Sequence, residues 1–243
     1  MIQVNQISKS FGSIHALAGV SFEAPNGHIT GLLGPNGAGK TTCLRIIYTV
    51  LRADTGAAQV DGFDTRTQAL EVQRRIGVLP DSTGLYPRLS TRENIRYYGN
   101  MHGLSGLALE KQIDRLIQLL DMQDIADRRT EGFSTGQRVK VAIARALVHD
   151  PPNLLLDEPT SGLDVMSTRA MRSFIRRLRD EGKCVVFTSH IMQEVAALCE
   201  QIVIINKGSV VASGTPQALL TASGRTDLEE AFVTAIGSGE GLE

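Results

Sequence analysis

The stretch Gly34-Pro35-Asn36-Gly37-Ala38-Gly39-Lys40-Thr41-Thr42 decides how the chain is read. It fits the spacing G-x-x-x-x-G-K-[ST], and its flanks fit too. Ile29 to Leu33 is an apolar run suited to a buried strand, and Leu44-Arg45-Ile46-Ile47 suits a helix. Glycine has no side chain, so consecutive backbone N–H groups can turn inward around phosphate oxygens while the helix N-terminus adds partial positive charge. Lys40 is then placed to reach the β- and γ-phosphates of a nucleotide, and the Thr41 hydroxyl to ligand Mg²⁺.

Working outward, 243 residues suffice for one large α/β domain or a domain with an inserted part. A net charge of −1 gives no basic surplus for a nucleic-acid backbone, so nucleic acid is disfavoured as a partner. Cys43, Cys184 and Cys199 show no metal-ligand spacing and are expected to be reduced core residues. Cys43 lies two residues beyond Thr41, so its modification is expected to block the site, with ATP protecting it. No apolar stretch approaches the roughly twenty residues that cross a bilayer, and Met1-Ile2-Gln3-Val4-Asn5 is no signal peptide, so no direct membrane insertion is expected.

Ahead of the loop, residues 1–33 read as short strands closing on Asn26-Gly27, with Phe11 in a Ser8 to Gly12 turn. An aromatic in a turn reads by itself as a core plug. Beyond the loop come a strand at Ala58 to Val60, a helix at Gln68 to Arg75 and a strand at Ile76 to Leu79 that ends on Pro80-Asp81. From Ser82 to Arg129 the pattern is helical. Ser90-Thr91-Arg92-Glu93 is a capping box, and Ile113, Leu116, Ile117 and Leu120 mark an amphipathic helix.

Phe133-Ser134-Thr135-Gly136-Gln137 precedes another helix, which Ser134 is placed to cap. Asn153 to Asp157 is an apolar strand ending in the pair Asp157-Glu158. In this setting the first acid suits Mg²⁺ binding through its water shell and the second suits taking a proton from attacking water. Asp164 is expected to cap a long helix whose Arg172, Arg176, Arg177 and Arg179 suggest a solvated face. Cys184 to Ser189 is a further strand, with His190 at its carboxyl end, where ligands bind in parallel sheets. A hairpin at Ile202 to Ala212 and helices from Thr215 and Asp227 complete the chain.

With these motifs in this order, the chain resembles the ATP-binding subunit of ABC transporters over nearly its whole length. Gly34 to Thr41 match the Walker A loop, Leu154 to Asp157 the Walker B strand, Glu158 the catalytic glutamate, Ser161 to Asp164 the D-loop and His190 the switch histidine. Phe11 matches the aromatic that stacks on adenine. Phe133 to Gln137 match the signature, with Phe133 and Thr135 departing from it. The resemblance implies a P-loop NTPase with a mostly parallel core sheet, an N-terminal antiparallel β part and an inserted α-helical subdomain. Residues 1–236 would form one domain, with 1–81 and 130–236 the core, 82–129 the helical subdomain and 237–243 a flexible tail. It implies ATP and Mg²⁺ as ligands, contacts from the whole run Gly34 to Thr42, and a head-to-tail dimer. In that dimer Ser134 and Gly136 of one copy meet the γ-phosphate lying on Gly39 and Lys40 of the other, and Gln137 belongs with them to the nucleotide-binding set. Glu158, His190 and Lys40 would be the catalytic groups.

Asp81 stands where the family has a glutamine that ligands Mg²⁺. A carboxylate can still bind the metal, but it adds negative charge and removes an amide donor, so retuned metal binding and coupling are expected. Pro80 to Tyr86 also resembles the ATPase branch of bacterial sodium exporters of the NatA type, which pair with separate membrane permeases. That implies a peripheral subunit at the cytoplasmic face of the cell membrane, docked through residues 82–100. Exporters of drugs, lipids or polysaccharides are the alternative, and soluble relatives acting on ribosomes or nucleic acid a more distant one. Those relatives carry a second ATPase domain or a long coiled coil, features not found in this sequence.

Overall fold

The computed structural model describes residues 1–82 and 84–237. The chain begins with β1 (Ile2–Phe11), β2 (Ile14–Ala24), β3 (Ile29–Leu33), α1 (Lys40–Ile47), β4 (Thr55–Val60), β5 (Phe63–Asp64), α2 (Ala69–Gln73) and β6 (Ile76–Leu79). Three helices follow, α3 (Thr91–Met101), α4 (Gly106–Leu119) and α5 (Thr135–Leu147). The chain then returns through β7 (Asn153–Asp157), α6 (Val165–Asp180), β8 (Cys184–Ser189), α7 (Met192–Leu198), β9 (Gln201–Asn206), β10 (Ser209–Gly214), α8 (Pro216–Ser223) and α9 (Leu228–Ile236).

Burial patterning separates two sheets. β1 and β2 bury Ile2, Val4, Ile7, Leu17, Val20 and Phe22 and leave other positions partly in water, as suits an antiparallel sheet covering a core on one side. With β4 and β5 they make the order β2-β1-β4-β5. The strands β3, β7 and β8 are buried at every position, the mark of a parallel sheet covered on both faces. Their sheet has the order β10-β9-β3-β8-β7-β6, parallel from β9 to β6, with the antiparallel hairpin partner β10 at its edge.

Successive side chains point to opposite faces, so each central strand feeds two cores. Leu32, Leu155, Val186 and Val203 pack with Leu44 and Ile47 of α1 and with the antiparallel sheet. Leu33, Leu156, Phe187 and Ile204 pack instead with helices on the other side, including Ile143, Ile175 and Leu198. The helical stretch is continuous with that second core: Ile95, Leu109, Ile113 and Leu116 belong to the same apolar cluster. Its capping box is present, Ser90 Oγ accepting from Glu93 N–H and Glu93 Oε2 accepting from Ser90 N–H.

Three readings of the sequence need correction. Phe11 closes β1 and lies outside the Gly12-Ser13 turn, because β1 and β2 are two long strands whose bulges absorb the polar residues that look like turns. The helix expected over Gln68 to Arg75 shrinks to α2. The arginine face of α6 is largely a contact surface: Arg176 donates to Ala197 O at 2.9 Å, Arg179 pairs with Glu200 and Arg172 with buried Glu194, while Arg177 pairs along its own helix with Glu181. The expected flexible tail lies outside the described residues from 238 onward, as does Thr83. No helix among the described residues is long and apolar enough to cross a membrane.

Phe187 is fully buried at the centre of the parallel sheet, whereas Ser90 contributes a cap. Phe187→Ala should cost about 3–5 kcal/mol and Ser90→Ala only about 1 kcal/mol, measured by urea denaturation. Similar losses for both would contradict this account of the core.

Candidate active site

Parallel register gathers the chemical groups at one sheet edge. Leu33 pairs with Ser189, Thr188 with Asp157, and Leu79 with Leu156. The residues that follow these strands, Gly34, His190, Glu158 and Asp81, therefore emerge together at the carboxyl ends, where parallel sheets bind ligands.

Gly34 to Gly39 wrap back onto the start of α1. Gly37 and Gly39 have φ of 79° and 107°, a region costly for other residues. A Cβ on Gly39 would stand 2.5 Å from Ala16 O, and one on Gly34 would stand 2.2 Å from Ile205 O, so neighbouring backbone hems the loop in. Its rear is fixed by Gly208 N–H donating to Ala38 O at 3.0 Å. This cradle, with Pro35, Asn36 and Gly37 facing solvent and Thr41 and Thr42 in the first turn of α1, fits a phosphate chain.

The buried Lys40 donates from Nζ to Gly34 O at 2.7 Å and Pro35 O at 3.2 Å, and stands 3.7 Å from Glu158 Oε1. Burial lowers its pKa, with the nearby Glu158 and Asp157 charges opposing that shift. A desolvated ammonium beside a glycine loop at a helix N-terminus is a strong partner for an anionic oxygen.

Asp157 is buried, and its Oδ1 accepts from Thr188 Oγ1 at 2.6 Å; the same hydroxyl accepts from Glu158 N–H at 2.9 Å. Thr188 thus holds the two acids in register. Glu158 adopts φ 50°, a left-handed conformation costing about 1–3 kcal/mol in a non-glycine residue and concentrated at functional sites. Its Oε2 lies 2.9 Å from Nδ1 of His190, whose outer side remains half exposed. Glu158 therefore stands between a cation and an imidazole, with both of its oxygens engaged. Sequence reasoning missed Thr188, although a hydroxyl directly after the apolar run Cys184 to Phe187 of β8 signals a buried bond.

A site for Mg²⁺ is compatible with the donor set. Mg²⁺ typically takes one or two carboxylates, waters and substrate phosphates, and Asp157 and Thr41 are oxygen donors of that kind. Asp81 is exposed just past β6 at the same sheet edge. When bound, the ion would supply charge neutralisation to the phosphates.

Ser134, Gly136 and Gln137 stand at the head of α5, where Ser134 Oγ accepts from Gln137 N–H and Gln137 Oε1 accepts from Ser134 N–H. They line a cavity of about 540 Å³ with Leu163, Met166 and Ser167, and among the described residues no hydrogen bond joins them to the phosphate cradle. Phe11 is 47% exposed, with Lys9 Nζ 5.5 Å from its ring centroid, so it is no core plug.

Residues 17–161 match the family described as "ABC transporter". The chain is 43% identical over 244 residues to "ABC transporter ATP-binding protein NatA" of Bacillus subtilis (strain 168), covering 98% of this chain and 99% of that protein. Among solved structures, one described as the ATP binding subunit of an ABC transporter has a TM-score of 0.89 at 26% identity, covering 98% of this chain and 100% of the other. The dimeric post-hydrolysis state of the cassette MJ0796 bound to ADP and Pi has a TM-score of 0.81 at 26% identity, covering 88% and 98%. A phosphate cradle with paired acids at the strand ends defines a P-loop ATPase. The chain belongs to the ABC transporter family, as an ATP-binding subunit that hydrolyses ATP, and it is similar to NatA over nearly its full length.

Cys43 is the core residue expected from the sequence, and that burial argues against the reactivity also expected of it. It is fully buried beneath the cradle, and desolvation pushes its thiol up to about 12. It should resist iodoacetamide at neutral pH whether or not ATP is present, and react only on unfolding, as read by mass spectrometry. Rapid labelling that ATP suppresses would restore the original expectation.

Proposed function

We propose that two copies of this chain close head to tail on ATP and that hydrolysis drives sodium export through a separate membrane permease. The observation that carries the ATPase mechanism is the cluster of Lys40, Glu158 and His190, within 3.7 Å and 2.9 Å of one another in sequence at the sheet edge. Glu158 accepts a proton from attacking water, while Lys40 and His190 stabilise charge on the transferred phosphoryl group. Phe11 stacks on adenine, and Gly34 to Thr42 hold the phosphates. Thr41, Asp157 and Asp81 hold Mg²⁺. Ser134, Gly136 and Gln137 serve the partner copy's nucleotide, a reading supported by their separation from the cradle in their own chain and by the dimeric neighbour.

On this reading the chain works at the cytoplasmic face of the cell membrane, and the permease docks on residues 82–100 and the adjoining groove of about 500 Å³ between α2 and α3, which Tyr98 lines. Leu70 and Met101 are 72% and 68% exposed there. The groove also contains the buried Arg145, which lies 4.1 Å from the Tyr98 ring centroid and donates to Gly84 O at 2.9 Å. Gly84 lies three residues beyond Asp81, so a helix seated in the groove would press on the segment carrying that carboxylate. Sodium as cargo is supported by the resemblance of residues 80–86 and by the full-length likeness to NatA. A drug, lipid or polysaccharide cargo would use the same nucleotide chemistry.

The test is ATP-driven movement of radiolabelled Na⁺ in proteoliposomes holding this chain and its co-purifying membrane protein. Wild type should transport. Glu158→Gln should lose turnover by about 10²–10⁴-fold, still bind ATP and accumulate as a dimer. Glu158-dependent hydrolysis without sodium movement would overturn the cargo and leave the ATPase. Asp81→Gln should shift the Mg²⁺ dependence of hydrolysis and change the ions moved per ATP; a variant unchanged in both would refute a special role for Asp81.

A further inference from the structure

A carboxylate is buried only where it has partners, and Glu194 in α7 is 3% exposed without belonging to the nucleotide cluster. Its Oε2 accepts from Thr160 Oγ1 at 2.5 Å and from Ser189 Oγ at 3.2 Å. Ser189 Oγ also accepts from Ile191 N–H at 2.9 Å. On the other oxygen, Arg172 of α6 approaches to 3.5 Å. The residues held in this way have a common meaning. Thr160 lies two positions beyond Glu158, and Ser189 and Ile191 flank His190 on either side. One buried carboxylate therefore ties together the two loops whose side chains meet at the Glu158–His190 contact of 2.9 Å.

We propose that Glu194 is a positioning residue for hydrolysis: it clamps the Glu158 loop to the His190 turn and sets the geometry of their contact. Thr188 holds the strand ends from inside the sheet, through Asp157 and the Glu158 amide. Glu194 holds the loops beyond those ends. The two ties lie on either side of the left-handed Glu158. Through Arg172, the clamp also reaches α6, which Asp164 begins by accepting from Ser167 N–H at 2.9 Å. The stretch from Glu158 through the start of α6 is thus braced against α7. This inference rests on the ATPase reading of Glu158 and His190, and wild-type turnover that disappears in Glu158→Gln tests that reading separately.

The experiment compares Glu194→Gln in the wild-type and His190→Ala backgrounds. In the full chain, kcat should fall about 10- to 100-fold with the KM for ATP changed less than about twofold, as expected when geometry and not binding is lost. In the His190→Ala background the same substitution should cost less than about threefold, because its effect passes through the missing imidazole. The ring-nitrogen chemical shifts of His190 should move in Glu194→Gln, a readout independent of turnover. Equal losses in both backgrounds, a parallel rise in KM, or unmoved His190 shifts would overturn the proposal. Thr160→Val carries the same test if Glu194→Gln folds poorly: it should lower kcat several-fold, with Thr160→Ser restoring it. Full turnover in Thr160→Val would also count against the clamp.

Discussion

Parallel hydrogen bonding between β3, β8, β7 and β6 brings four strand ends to one edge, and the chemistry of the chain hangs from that edge. The register Leu33 with Ser189, Thr188 with Asp157 and Leu79 with Leu156 places the glycine loop, His190, the paired acids and Asp81 at the same ends of the strands. A one-residue slip in any of these pairings would turn the apolar side chains of that strand to the opposite face, and both faces are packed. Burial on two sides therefore enforces the geometry of the site.

Strain and desolvation are concentrated where the reaction needs them. Glu158 is held in a left-handed conformation, and Lys40 is buried against carbonyl oxygens with its pKa lowered. The surrounding structure offsets both costs. Ile205 O and Ala16 O back the glycines so closely that side chains are excluded, and Thr188 satisfies the Glu158 amide. A buried ammonium is thereby held at the glycine loop and the start of α1, the kind of place where anions bind.

Away from that edge, the fold sets two other surfaces apart. The head of α5, with Ser134 and Gly136, lies beside the start of α6 and apart from the cradle of its own chain, as suits a half-site completed by another copy. The groove between α2 and α3 opens on a different set of residues, with Arg145 bridging to Gly84. On the proposed reading, the Arg145–Gly84 bond is what would link a partner in that groove to the chain near Asp81.

Much of this was legible in the sequence because its signals are local. Phosphate-loop spacing, uninterrupted apolar strands, the capping box at Ser90, the cap at Ser134 and the acid pair after β7 depend on neighbours a few residues away. The sequence by itself determined the P-loop ATPase class and the identity of its principal polar groups. Only the tertiary structure decided that Phe11 closes a strand and is exposed, that the arginines of α6 are largely contact residues, and that the core thiol of Cys43 is buried deeply enough to be unreactive. It alone joined Thr188 to Asp157 and Glu194 to Thr160. Those pairs lie about thirty residues apart, and their bonds follow from strand order and desolvation, which no local pattern encodes.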